Sequence, residues 1–214
     1  MPALLLPSLQ TAPTTFALPT MDHVPAPAII TPSNATVLGW DDFLCPSTWL
    51  HQTQAIHPNQ LTHPALLRQL ANLDMAIVSL LTQARTLGPI FVVAENVNAM
   101  HALCVAFLPQ TLALLSSSSC VCVMSASATI LDDVCVAALQ VSSSVFAPAK
   151  SLIVAGQACW RHECARMRAP VLRKVIASGH ATPSVDEARE SIQRLSRGLL
   201  QVVAAHTTAL DMTL

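Results

Sequence analysis

An α/β domain with a mostly parallel sheet and helices on both faces is the fold class this sequence predicts. Three observations carry that reading. Short uninterrupted apolar runs such as Pro89-Ile-Phe-Val-Val-Ala94 read as strands covered on both faces. Between them lie stretches with apolar residues at three- and four-residue steps, the helical period. Only 11% of the 214 residues are charged and mean hydropathy is +0.51, so a large core can be filled. Strand and helix patterns in alternation imply parallel pairing.

Residues 1–33 are rich in proline and carry one formal charge, Asp22, so a flexible leader is expected there and the domain is placed at 34–214. Ala35-Thr-Val-Leu-Gly39 reads as the first strand. After a loop with Pro46, Pro58 and Pro64, the stripe Leu66, Leu70, Leu73, Ile77, Leu80, Leu81 and Ala84 marks a helix that Gly88-Pro89 ends. The second strand is 89–94, and a helix follows over Asn98–Leu108, ending before Pro109. Strands are expected at 120–124 and 151–155, then a helix from Ala158 to Arg168 and an edge strand at 171–176. The runs Ser116–Ser119 and Ser142–Ser144 read as loops. Ser184-Val-Asp-Glu187 is a capping box that starts a last helix. On that helix Ile192, Leu195, Leu199 and Val202 form the inner stripe, and Glu190 pairs with Arg194 outside.

Composition excludes several functions. Eleven basic against twelve acidic residues give no electrostatic pull toward nucleic acid or an anionic membrane. The greasiest stretch, 100–115, is broken by Pro109 and Gln110, so no membrane span is expected. No basic residue precedes Arg68, as a secretory or transit segment would require. Seven cysteines without framework spacing point to reduced thiols and a cytoplasmic location. Asn34-Ala-Thr36 is then an accidental glycosylation sequon.

In an open parallel sheet the chemistry sits beyond the carboxyl ends of the strands. Those ends here are Gly39-Trp-Asp41, Ala94-Glu95, Ser125 and Gly156-Gln157. Val37-Leu-Gly-Trp-Asp-Asp-Phe-Leu-Cys-Pro-Ser-Thr-Trp-Leu50 resembles the first motif of the haloacid dehalogenase-like (HAD) hydrolase superfamily. It is closest to a divergent branch reading L-D-W-D-D-T-L-x-P-[ST]-x-W-L. Leu87–Ala94, Phe107-Leu-Pro109, Ser151-Leu-Ile-Val-Ala-Gly-Gln157 and Ala209–Leu214 follow in the order that branch shows, so the resemblance spans residues 35–214.

The resemblance implies a HAD-like, Rossmann-type fold and, residue by residue, the loss of HAD catalysis. The attacking and magnesium-binding aspartate position is Gly39, and the general acid/base is retained as Asp41. The serine or threonine that holds a phosphoryl oxygen is Ala94, and the aspartate that completes the magnesium site is Gln157. The threonine of the first motif is Phe43, and the motif lysine has only Lys150 to match it. Phosphoryl transfer needs a nucleophile and charge compensation, and magnesium needs carboxylate anchors. No cofactor is therefore expected, although an active member would hold magnesium.

The expected function is that of a catalytically inactive HAD-like protein acting through binding or assembly, with a protein partner or a second copy of itself. The alternative is a weak phosphohydrolase using Asp41 or Asp42. Cys159, His162 and Cys164 lack zinc-site spacing, and the two cysteines read as buried helix thiols. Arg161, Arg166, Arg168, Arg173 and Lys174 against Glu163 read as a solvated basic face, with a docking patch as the other reading.

Overall fold

The first strand, β1 (Asn34–Gly39), is buried along its whole length, as a run without alternating polar residues requires. The computed structural model describes residues 34–53, 63–117, 121–125, 149–167 and 171–214. The proline-rich leader, Cys120, Ser118, Ser119, Ser142–Ser144 and Arg168 lie outside them. A short α1 (Ser47–Gln52) follows β1, then α2 (Pro64–Leu87), β2 (Ile90–Ala94) and α3 (Val97–Phe107). Next come α4 (Pro109–Ser117), β3 (Val121–Ser125), β4 (Ser151–Gly156), α5 (Cys159–Arg166) and β5 (Leu172–Ala177). The chain closes with α6 (Val185–Arg194), a π turn (Leu195–Leu199), α7 (Leu200–Ala205) and β6 (Leu210–Thr213).

The six strands form one sheet in the order β3-β2-β1-β4-β5-β6, and every neighbouring pair is parallel. This is a Rossmann-like α/β domain. Alternate strand residues feed two core layers. Leu38, Ile90, Val92, Ile153 and Ile176 face a layer built with α2, α6 and α7. Val37, Phe91, Val93, Leu152 and Val154 face the other, where α5 contributes Cys164 and Met167.

The long helix α2 buries Leu70, Leu73, Ile77, Leu80, Leu81 and Ala84, the stripe its sequence period predicts. Pro64 opens it, where a missing N–H costs nothing, and Gly88 ends it at φ 147°, a region that favours glycine. By length and composition α2 alone among the described residues could cross a membrane, yet its apolar face packs on the sheet and on α6.

Four sequence expectations need correction. α3 ends before Pro109 as expected, but Pro109 begins a further helix, α4, and Ser116 and Ser117, expected in a loop, lie inside it. A carboxylate from another element makes this possible. Buried Asp74, on α2, accepts the N–H groups of Gln110 (3.0 Å) and Thr111 (2.8 Å) and the Thr111 hydroxyl (2.6 Å). It caps α4 from outside the local sequence, which is why local signals miss it. The predicted edge strand, β5, is an inner strand, because the half-exposed β6 pairs with it.

The capping box at Ser184–Glu187 forms as expected. The predicted stripe holds at Ile192 and Leu195, which are buried, and at Leu199, which packs on the core. It fails at Val202, beyond a kink where Arg197 (φ −85°, ψ 17°) and Gly198 (φ 120°) leave helical geometry. Leu200 and Val203 therefore turn inward and Val202 is 66% exposed. Among the described residues the ion pairs of α6 are Arg189 with Asp186 (3.2 Å) and Glu187 with His180 (3.6 Å), not Glu190 with Arg194.

Replacing Asp74 by Ala leaves three donors at the start of α4 unmet and is expected to cost about 2–3 kcal/mol in denaturant unfolding. Asp74→Asn keeps an acceptor oxygen and is expected to cost less than half of that. Equal losses in the two variants would assign the effect to packing instead.

Candidate functional site

The strand order reverses direction between β1 and β4, and the crevice beyond the carboxyl ends at such a point is where α/β sheets bind ligands. A cleft of about 410 Å³ lies there. Asp41, Asp42, His51, Glu95, Asn96 and Gln157 supply its polar wall, and Ala99, Met100 and Leu103 its apolar one.

After Gly39 the chain folds back tightly. Leu44 N–H donates to Gly39 O (3.2 Å) and Cys45 N–H to Trp40 O (2.9 Å). Asp42 takes the left-handed conformation at φ 53°, which a short polar side chain tolerates. Its carboxylate then caps α1 through Thr48 N–H (2.9 Å) and Thr48 Oγ1 (2.6 Å). Asp41 is engaged at all three oxygens. Oδ1 accepts from Ser47 Oγ (2.9 Å), Oδ2 from the N–H of Glu95 (2.8 Å), and its carbonyl from Gln157 Nε2 (3.0 Å). The tips of β1, β2 and β4 are thus tied through one residue. Glu95 itself lines the cleft.

Trp160, near the start of α5, occupies the ground over the two central strand tips. A β-carbon at Gly39 stands 3.1 Å from indole Cη2, and one at Gly156 only 2.5 Å from Cε3. Glycine at 156 is therefore the condition for the indole to lie against the sheet. At Gly39 any side chain enters a seat the ring already crowds. Ala94 is buried at the end of β2, within the core layer that faces α2.

The residue set does not fit magnesium. Gly39 has no carboxylate, and Gln157 offers an amide nitrogen whose hydrogen bond takes the Asp41 carbonyl. Both Asp41 carboxylate oxygens already accept hydrogen bonds. Among the described residues no group of three His, Cys, Asp or Glu could hold a metal ion. Burial pushes the Cys45 thiol well up and the Cys164 thiol up to about 11, so neither is poised as a thiolate ligand. Cys164 is buried against the sheet as expected, but Cys159, near the open start of α5, is exposed and not the buried thiol expected. With His162 also exposed, the three do not converge. Lys150 precedes β4 and so sits at the amino end of the sheet, opposite the cleft, and cannot serve as its motif lysine. The strand order is also that of dinucleotide-binding domains, but the turn after β1 holds Asp41 and Leu44 where that fingerprint needs glycines.

Of the basic stretch, Arg166 is exposed as a solvated face requires, Arg161 and Arg173 are partly exposed and committed to protein acceptors, and Lys174 is the correction, because it is buried. Arg161 pairs with Asp211 (2.6 Å) and donates to Met212 O (3.1 Å) and Thr213 Oγ1 (2.9 Å), pinning β6 to α5. Arg173 donates to the Cys164 and Met167 carbonyls at 2.7 and 3.0 Å. Lys174 is buried, with Nζ donating to Ala204 O (2.6 Å) and Asn34 Oδ1 (3.3 Å). Asn34 also accepts from Ser151 Oγ, so the sequon asparagine is buried in the sheet. Ser47, Thr48, His51 and Asn96 are cleft residues that sequence reasoning did not single out, although Ser47 and Thr48 stand in the quoted first motif. Trp160, packed against the α5 face of the sheet, was missed as well. No family model, curated protein or solved structure matches the chain.

Two predictions follow from these contacts. Gly156→Ala drives a methyl group into the indole and is expected to destabilise by about 2 kcal/mol or more, while in a Trp160→Ala background the same change costs far less. Additive losses in the double-mutant cycle would separate the two residues. Burial lowers the Lys174 pKa from the ordinary lysine value. Between the two values the unfolded chain binds more protons than the folded one, so this lysine's contribution to stability rises with pH. The thermal midpoint of the parent chain, relative to Lys174→Met, is expected to climb from neutral pH toward the ordinary lysine range. A flat or falling difference would refute it.

Proposed function

We propose that this chain is a HAD-like protein without HAD catalysis, which acts through binding or assembly in the cytoplasm. The observation that carries the reading is the triad of Gly39, Trp160 and Gln157 at the tips of β1 and β4. The superfamily resemblance requires an attacking carboxylate at Gly39, and an indole crowds that seat. It requires a magnesium-anchoring carboxylate at Gln157, and an amide there donates to the Asp41 carbonyl instead. Asp41 keeps the position of the general acid/base, but its carboxylate cross-links α1 and the end of β2.

Binding remains available to the cleft, whose size is in the range of small-ligand sites. Assembly with a protein partner or a second copy is supported by Leu67, Met75, Val105 and Val202, large apolar side chains that are all at least 42% exposed. The cytoplasmic location is supported by Cys45, Cys104 and Cys164, which are free and buried. The alternative phosphohydrolase reading gains no support, because Asp42 is committed to capping α1.

Aryl phosphates with millimolar magnesium are expected to show no turnover above background. Magnesium is expected to leave the thermal midpoint within about 1 °C, whereas a saturated site would raise a domain of this length by several degrees. Turnover that Asp41→Asn abolishes would establish the phosphohydrolase instead.

A further inference from the structure

We propose that the groove between α2 and α6, closed at one end by the π turn, is a second ligand site that takes a phosphate group. The groove encloses about 500 Å³ and shares no residue with the cleft. Asn72 and Ser79 line it from α2, Arg189 and Gln193 from α6, and Arg197 from the π turn. Two guanidinium groups thus reach one cavity, and no carboxylate lines it.

The charge of these arginines is only partly answered. Arg189 meets Asp186 through one terminal nitrogen at 3.2 Å, and its Nε–H is buried without an acceptor among the described residues. A buried donor left unmet is costly, and such groups in a native fold call for an explanation. Arg197 forms no ion pair among the described residues. An anion in the groove would answer both, with a small turn of the Arg189 side chain bringing Nε into play.

The donor set favours phosphate over carboxylate. One guanidinium already matches the two oxygens of a carboxylate. Two guanidinium groups, together with the Asn72 and Gln193 amides and the Ser79 hydroxyl, suit an ion with three or more acceptor oxygens. The kink at Arg197 and Gly198 sets Arg197 outside helical geometry at the cavity rim. Gln83, held by a hydrogen bond to the Ser196 carbonyl, braces the turn against α2. The cleft, by contrast, presents Asp41, Asp42 and Glu95 and disfavours an anion.

Isothermal titration with inorganic phosphate and, separately, with phosphoserine tests the site. A saturable single-site isotherm with a dissociation constant of about 1 mM or below is expected, weakened about tenfold or more by Arg189→Gln and by Arg197→Gln. Asp41→Asn is expected to leave it unchanged. Tighter binding of phosphoserine marks an ester as the ligand, and equal binding marks the free ion. Arg197 is exposed, so its variant keeps the fold and decides the result if Arg189→Gln misfolds. No saturable binding in either arm, or full binding in both arginine variants, overturns the proposal.

Discussion

The cleft end of this molecule depends on how the oxygens of Asp41 are shared. One carboxylate oxygen holds α1 through Ser47, the other holds the end of β2, and the carbonyl holds the residue that follows β4. Parallel strands have no tight turns to join their tips. Something must fix the spacing of the loops that leave them, and a single aspartate does so for three loops at once. With its acceptors committed this way, Asp41 is a cross-link at the floor of the cleft. The Trp160 indole lies against the same strand tips from the α5 side.

Much of the architecture is legible in the sequence because burial on both faces leaves a plain mark. The runs at 89–94 and 151–155 become β2 and β4 within one residue at either end, and the α2 stripe lands on the buried face. Most of the misses depend on a partner distant in the chain; an exception is Val202, lost to the local break at Arg197 and Gly198. α4 needs the Asp74 carboxylate, 35 residues before Pro109. β6 is half exposed and is a strand only because β5 offers it an edge. Lys174 reads as surface charge until the fold buries it under Ala204.

The site is legible in position and less so in content. Gly39, Asp41 and Gln157 meet at the carboxyl edge, as strand ends in a parallel sheet dictate. The role of Trp160 has no local signature, because a tryptophan early in a helix announces neither its target nor the glycines it needs. Strand order is equally mute about chemistry. The same order serves dinucleotide enzymes elsewhere, and here the first turn is closed by side chains where those proteins keep bare backbone.

The π turn has a consequence for the register of everything after it. Arg197 and Gly198 leave helical geometry, so the segments before and after them are two helices joined across a kink, and the second is free of the first one's phase. Nothing lies within 4 Å of a β-carbon at Gly198, so the glycine answers a backbone need and no lack of room. Beyond the kink Val203 is buried, Val202 faces outward, and the Ala204 carbonyl lies over the buried ammonium of Lys174. Helix phase and the solvation of a charge are therefore one variable in this protein. A shift of the final helix by one residue would repack a few valines at small cost and leave a cation in the sheet without its nearest oxygen.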